Sequence, residues 1–439
     1  MDIDDKTVLA EVDTLNLDIP FALFVKFFLG WNCQKHLQIF LRYLIPVVCF
    51  ILFIIDFCDW VYNGHESTYE VGKVLSYQQS PIISLLSYMT SQISYMTASA
   101  VLFGFIAKSS HIRSALYQMT NAGYCGTARH GVNSNNIMVS ARIKWLYFGY
   151  FSLAVAATIH VATSLVFFYD ALVATRDQFW KPEPYFVWHI PSGLNDLFQR
   201  IPLLFARLLP FVFYVLYYYL ATLLTNRIVS LNVKLNLSIL GVKLDSVCFE
   251  SSLLLLQAED EELATIVGSL SSGFSLVLAG GIFGSFLQIC SSTALCFVSN
   301  MFSTPWSYIR QAIFIAATLI VLLMFLLSGA RLHEAGKEAK RLWTDLIISH
   351  QDYRKKILPN VDDARLMFSL YRISQRSECL TLADFVHLTR SIAATFVFAF
   401  IGYLCFLVER SEHFQTDEKL TDALRNNLTL VHNVNVTHS

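Results

Sequence analysis

The amino-acid sequence predicts an all-α membrane protein with seven transmembrane helices. The N-terminus is expected in the cytoplasm, the C-terminus outside, and helical extensions on the cytoplasmic side. Three observations carry this. The 439 residues are 55% hydrophobic and only 15% charged, against roughly 25% charged for an ordinary soluble domain. The apolar residues fall in blocks of about twenty, the length an α-helix needs to cross about 30 Å of hydrocarbon. Lys and Arg gather in alternate connecting segments, which sets the orientation of the spans.

The chain opens on an acidic lead, MDIDDKTVLAEVDTLNLD, without the basic region and cleavage site of a signal peptide. The first span is therefore expected to act as an uncleaved anchor. Residues 1–36 form a cytoplasmic segment whose patch IPFALFVKFFLGW reads as a short helix lying on the membrane. Residues 37–224 hold spans at 37–61, 82–108, 144–169 and 202–224. The first contains Pro46, and the second is rich in polar residues such as Ser87, Ser91 and Thr97. Residues 225–265 form a cytoplasmic helical segment with a packing stripe drawn from Val229, Leu231, Val233, Leu235 and Leu237. It ends in the acidic run Glu259-Asp-Glu-Glu, which favours a helix start through the macrodipole. Spans five and six occupy 266–332 and a cytoplasmic helical anchor segment 333–386. Its amphipathic sequences, one before and one after Pro359, are expected to pack as an intracellular subdomain. Span seven covers 387–409, and an extracellular, glycosylated tail covers 410–439.

Orientation rests on two independent signals. The segment between spans two and three carries Lys108, Arg113, Arg129, Arg142 and Lys144, and the segment before span seven is rich in Lys and Arg. The segment between spans one and two carries only Lys73. The even-numbered segments are therefore cytoplasmic. Asn427-Leu-Thr and Asn435-Val-Thr in the tail are glycosylation sequons that need the lumenal side. Asn236-Leu-Ser, on the opposite side, is expected to stay unmodified.

Several function classes are disfavoured. A net charge of −1 gives no general attraction to nucleic acid. The twelve histidines include no HExxH pair, so no enzyme, metal or cofactor is expected. A transporter would show internal repeats; Gly280-Gly281 reads as a break in span five, but seven unequal spans do not divide. A G-protein-coupled receptor would place its N-terminus outside, and neither a DRY-like triplet nor NPxxY is present. The nine cysteines include no CxxC pair. Cys58, Cys290 and Cys296 lie near the outer edge, where a disulfide is one option and free buried thiols are the better account. Asp56 and Asp59 read as interfacial, and so does the run Tyr217-Tyr-Tyr.

In span seven Thr395-Phe396 is followed by VFAFI and then Gly402-Tyr403, and ECLTLADFVHLTRSIAA leads into it. From 365 to 403 this resembles the animal gustatory-receptor-like family, which includes insect gustatory and odorant receptors. That family's last span carries Thr-Tyr, five apolar residues and Gln-Phe. Gly402 stands here in place of the Gln, and the chain runs about 36 residues beyond the motif. A divergent, non-insect member of nematode type accounts for both departures.

The resemblance implies a chemosensory receptor of the sensory-neuron plasma membrane. It would act as a ligand-gated, non-selective cation channel, a homotetramer or a hetero-oligomer with related subunits. Four copies of span seven would line the pore, with Thr395, Phe396, Ala399, Gly402, Tyr403 and Phe406 as lining and gate. A ring of aromatic side chains can close a pore by dewetting. On the residues alone, a lipid-facing or core stripe explains these positions better; the resemblance favours the pore. Candidates for the stimulus pocket are Tyr88, Gln92, His160, Arg207, Tyr214 and Gln288, polar or ionisable groups at membrane depth. Taken singly, Arg207 snorkelling to the interface and His160 bonding a backbone group are the stronger alternatives. The stimulus is a small molecule or, given the seven tryptophans, light. The runner-up is a seven-helix receptor that signals through partner proteins without conducting.

Overall fold

Where water is excluded, an apolar segment must satisfy its own backbone N–H and C=O groups, and a helix does so within the segment. The computed structural model describes residues 27–29, 36–62, 90–121, 136–174, 182–185, 188–242, 249–297, 305–357, 381–382 and 386–409. Helices are α1 (His36–Tyr62), α2 (Thr90–Ala107), α3 (Ser109–Asn121), α4 (Asn136–Ala174), α5 (Ser192–Val242), α6 (Phe249–Phe297) and α7 (Pro305–Ile357). A further helix, α8 (Arg390–Glu409), follows. Two short antiparallel hairpins sit at helix junctions: β1 (Pro182–Tyr185) with β2 (Trp188–Pro191) before α5, and β3 (Thr381–Leu382) with β4 (Val386–His387) before α8.

Among the described residues four helices are long and apolar enough to cross a membrane, at Leu203–Ile239, Leu255–Ala294, Tyr308–Ser349 and Arg390–Glu409. Shorter apolar helices cover Phe40–Ile55, Gln92–Ala107 and Tyr147–Thr163. Both tail sequons, Tyr88 and the amphipathic sequence after Pro359 lie outside the described residues.

The long helices explain what the intervening polar segments do. α5 has 51 residues and α7 has 53, roughly 75–80 Å each at 1.5 Å per residue, more than twice a hydrocarbon core. α5 passes residue 225 without a break, and α6 starts well before residue 266, so the polar segment between them is mostly the ends of these two helices. The extensions pack. Leu231, Leu263, Leu342, Trp343 and Leu346 are buried in the same core as the spans, and Asn232 Nδ2 donates to the Ala335 carbonyl at 3.0 Å. Lys234 pairs with Glu259 at 2.5 and 2.8 Å across α5 and α6. Leu237 departs from the predicted stripe: it is 63% exposed, because on a helix Leu231 and Leu235 share a face that Leu237 leaves.

α2, α5, α6 and α7 form the centre. Phe105, Phe213, Phe274, Tyr217 and Phe325 make a continuous aromatic column, with ring centroids 4.4 Å apart for Phe105–Phe213 and 5.5–6.0 Å for the others. Offset and edge-on contacts of this kind stabilise beyond the area they bury. Tyr217 is fully buried in this column, so it is a core residue and not an interfacial one. Gly280-Gly281 does not break α6. A Cβ at Gly280 would meet Ala100 Cβ at 3.1 Å, and one at Gly281 would meet Tyr214 and Phe325; the pair lets neighbouring elements approach. Gly104 does the same from α2, where a Cβ would fall 2.9 Å from Leu276 Cβ.

α1 carries Pro46 without ending, and Ser99 of α2 donates to the Pro46 carbonyl at 3.4 Å. Arg42 ties α1 to the α2–α3 junction through Ser109 Oγ at 3.0 Å. The other face of α1 is apolar and exposed, from Phe40 to Phe57, as a lipid-facing surface would be. Cys58, Cys290 and Cys296 are free thiols.

Candidate functional site: a polar cavity and the last helix share one wall

A polar residue on an otherwise apolar span turns away from lipid and toward the bundle interior, where it finds partners. Five helices do this in the half of the bundle toward β1–β2. α2 contributes Ser94 and Thr97, α4 His160, α5 Arg207 and Tyr214, α6 Ser285 and Gln288, and α7 Thr318. Together with Phe211, Phe314 and other apolar neighbours they line a cavity. The cavity has a volume of about 50 Å³, counted as room for the centre of a water molecule. At roughly 10–15 Å³ per water by that measure, the cavity takes a few waters or one small molecule.

Four predicted residues, His160, Arg207, Tyr214 and Gln288, meet in this cavity. Arg207, Phe211 and Tyr214 are four and three residues apart on α5, hence on one face. Gln92 is buried but does not line the cavity. Sequence reasoning missed Ser94, Ser285, Thr318 and the two phenylalanines as lining residues. Their signal was weak, since small hydroxyl residues and Phe are common on membrane helices.

Contacts fix the geometry. His160 packs edge-on to Phe314 with centroids 4.7 Å apart, and lies 5.2 Å from Phe211. The Arg207 guanidinium stands 5.0 Å from the Phe314 ring centroid, within cation–π range. Ser94 donates to Gln288 Oε1 at 3.1 Å, and Gln288 Nε2 reaches Ser292 Oγ at 3.4 Å. Thr97 and Thr318 donate to carbonyls of their own helices. His160 Nδ1 is buried without a hydrogen-bond partner among the described residues.

α8 lies against the far side of the same stretch of α6. Phe396 packs on Phe286 and Phe283, with centroids 5.5 and 6.5 Å apart. Tyr403 donates to the Cys290 carbonyl at 2.9 Å. At the start of the helix, Leu388 is fully buried over Gly329 of α7, and Arg390 pairs with Glu334 of α7 at 2.5 Å. Leu407 is buried as well, but among the described residues only 6% of the apolar stretch of α8 is buried, against 61% and 67% for α6 and α5.

The predicted stripe on this helix therefore divides. Phe396 and Tyr403 turn toward α6. Thr395, Ala399, Gly402 and Phe406 are exposed, and among the described residues nothing lies within 4 Å of where a Gly402 Cβ would stand. Phe398, Ile401 and Cys405 extend the open face. At 100° per residue, Phe396 and Tyr403 sit about a quarter turn from Thr395 and Gly402.

No family model matches the chain, and no curated protein matches it in sequence. Among solved structures, the insect olfactory receptor OR5 from Machilis hrabei in complex with eugenol aligns with a TM-score of 0.61 at 14% identity. The alignment covers 92% of this chain and 96% of that chain. A second structure of that receptor aligns with a TM-score of 0.59 at 13% identity, covering 85% of this chain and 89% of that one. The chain thus has the fold of an insect olfactory receptor nearly end to end.

Proposed function

We propose that this chain is a chemosensory receptor of the gustatory and odorant receptor kind, a divergent non-insect member of nematode type. It works as a ligand-gated, non-selective cation channel in the plasma membrane of sensory neurons. Seven helices span the bilayer, the N-terminus is inside, and the C-terminal tail is outside and glycosylated at Asn427 and Asn435. Four copies, or copies with related subunits, assemble with the open face of α8 around a common pore. It is not an enzyme.

The observation that carries this reading is the shared wall. Gly284, Ser285 and Gln288 of α6 face the cavity, while Phe283, Phe286 and the carbonyl of Cys290 meet α8. A ligand that moves this stretch of α6 moves the contacts of α8 with it. Differential contact with two arrangements is what a ligand needs to shift a conformational equilibrium. The nearly uncovered apolar face of α8 supports an assembly around that helix, and the fold shared with an olfactory receptor agrees.

The test is whole-cell current in a non-excitable cell expressing this chain alone, screened with sugars, bitter compounds, odorants and short-wavelength light. The expected result is a stimulus-evoked cation current whose permeation changes on substitution of Thr395 or Gly402. Chain that reaches the surface glycosylated, yet carries no current with any stimulus, would replace the channel with the receptor that signals through partners.

A further inference from the structure

The last helix is fastened at its foot by a short run of residues, and two imidazoles meet there. Leu388 is fully buried over Gly329 of α7, so close that a Cβ on that glycine would fall 2.8 Å from Leu388 Cβ. Arg390 forms an ion pair with Glu334, just over one turn further along α7. His333 lies four residues after Gly329, hence on the face that receives Leu388. His387 directly precedes Leu388 and is held by β4, where it pairs with Thr381 of β3. The two histidines therefore face each other across the joint, near enough for the charge of one to act on the other.

The surroundings of this pair are mostly cationic. Lys337 and Lys340, one and two turns beyond His333 on α7, also bear on it. Glu334 acts in the opposite sense, but its carboxylate is already engaged by Arg390. Glu338 is held by Arg341, and on α5 and α6 Lys234 and Glu259 hold each other. His333 stands beyond the last apolar residues of its span and is half-buried. Burial first, and then the neighbouring His387 and Lys337, lower its proton affinity below the ordinary range. A proton arriving here gains little from water and meets like charge at short range.

We propose that this joint is a proton-operated latch, which holds the foot of α8 on α7 while His333 and His387 are neutral and releases it when they take up protons. The sign follows from linkage. A histidine that binds protons more weakly in the docked state leaves docking undiminished above its ordinary pKa of about 6.5. Docking weakens as pH falls through that value, because the released state binds more protons. For one imidazole, going from about pH 7.5 to about pH 5.5 shifts the equilibrium toward release by at most about tenfold. The joint is thinly made, so a factor of this size is felt. Protons on that side of the bilayer would then bias the one helix whose apolar face the subunit leaves almost uncovered.

Hydrogen exchange on the full chain in lipid nanodiscs tests this. It is read at residues 386–392 and expressed as protection relative to the unstructured rate at the same pH. Protection there should fall severalfold between the two pH values, up to the limit given above, while the middle of α6 keeps its protection. His333→Gln should remove most of the fall. His333→Lys, which places a lasting charge at the joint, should leave the segment loose at both pH values. Unchanged protection of the unmodified chain at the acidic pH would overturn the proposal, and that measurement depends on no variant. An equal loss of protection in α6 would also overturn it, since acid would then be unfolding the bundle instead of releasing a joint. So would a full pH response in a well-folded His333→Gln chain. No current is read, so the latch and the channel fail separately: a silent chain can still release its helix, and a conducting one can lack the latch.

Discussion

Replacing Tyr403 with Phe removes one oxygen and keeps the ring. That oxygen donates to the Cys290 carbonyl at 2.9 Å and ties the middle of α8 to the helix that walls the cavity. The Cys290 carbonyl lies within the continuous helix α6 and keeps its intrahelical partner, so the substitution orphans no buried acceptor. The effect is then that of one interhelical bond in a membrane, about 0.6 kcal/mol on average and about 1.7 at most. In equilibrium terms this is about threefold to about eighteenfold per subunit. Because no acceptor is stranded, the lower figure is expected. If opening withdraws α8 from α6, Tyr403→Phe should lower the half-activating stimulus concentration by about threefold and raise the resting current, at unchanged surface expression. Concentration–response currents with surface biotinylation measure both. An unchanged or raised half-activating concentration in a normally expressed variant would refute the idea that this bond restrains the helix.

Asn232→Ala removes the bond to the Ala335 carbonyl that stitches α5 to α7; about 1 kcal/mol of stability should be lost, read as a lower melting temperature in detergent. Gly104→Ala pushes a methyl group onto Leu276, whose Cβ and backbone lie 2.9–3.2 Å away. Overpacking of this kind costs about 1–3 kcal/mol and should lower the melting temperature more than Asn232→Ala does. Gly402→Ala, by contrast, meets nothing within 4 Å among the described residues; thermal stability should stay within about 0.5 kcal/mol while current amplitude changes. Asn427→Gln with Asn435→Gln should abolish the mobility shift produced by glycosidase treatment, as only a tail on the lumenal side allows.

What the residues made legible follows from how membranes punish exceptions. His160, Arg207, Tyr214 and Gln288 were found one by one as polar side chains on apolar spans, and the bundle brings them to one cavity. Each had few other places to go. Ser94, Ser285 and Thr318 were not legible as lining residues, because a hydroxyl can satisfy itself on its own helix, as Thr318 does with Phe314, and so need not mark an interior. Gly280-Gly281 looked like a break because glycine serves both flexibility and close approach; only the neighbour at Ala100 decides between them. The aromatic stripe of the last helix misled for a geometric reason. Residues three and four apart share a broad face, and that face spans both the side turned to α6 and the open side. Which way Phe396 turns depends on Phe283 and Phe286, more than a hundred positions earlier in the chain.

The thin attachment of α8 has an evolutionary consequence. Most positions in a protein answer to folding first, and substitutions there are filtered before any activity is tried. Along the open face of this helix Thr395, Phe398 and Gly402 are exposed, and among the described residues nothing lies within 4 Å of a Cβ at Gly402. Variation at these sites is screened by what the helix meets outside its own fold and hardly at all by whether the subunit forms. A lineage can therefore retune that surface quickly while Leu388, Phe396 and Tyr403 hold the helix in register. The fold separates the part that must stay constant from the part that is free to diverge, along one helix and the residues that lead into it.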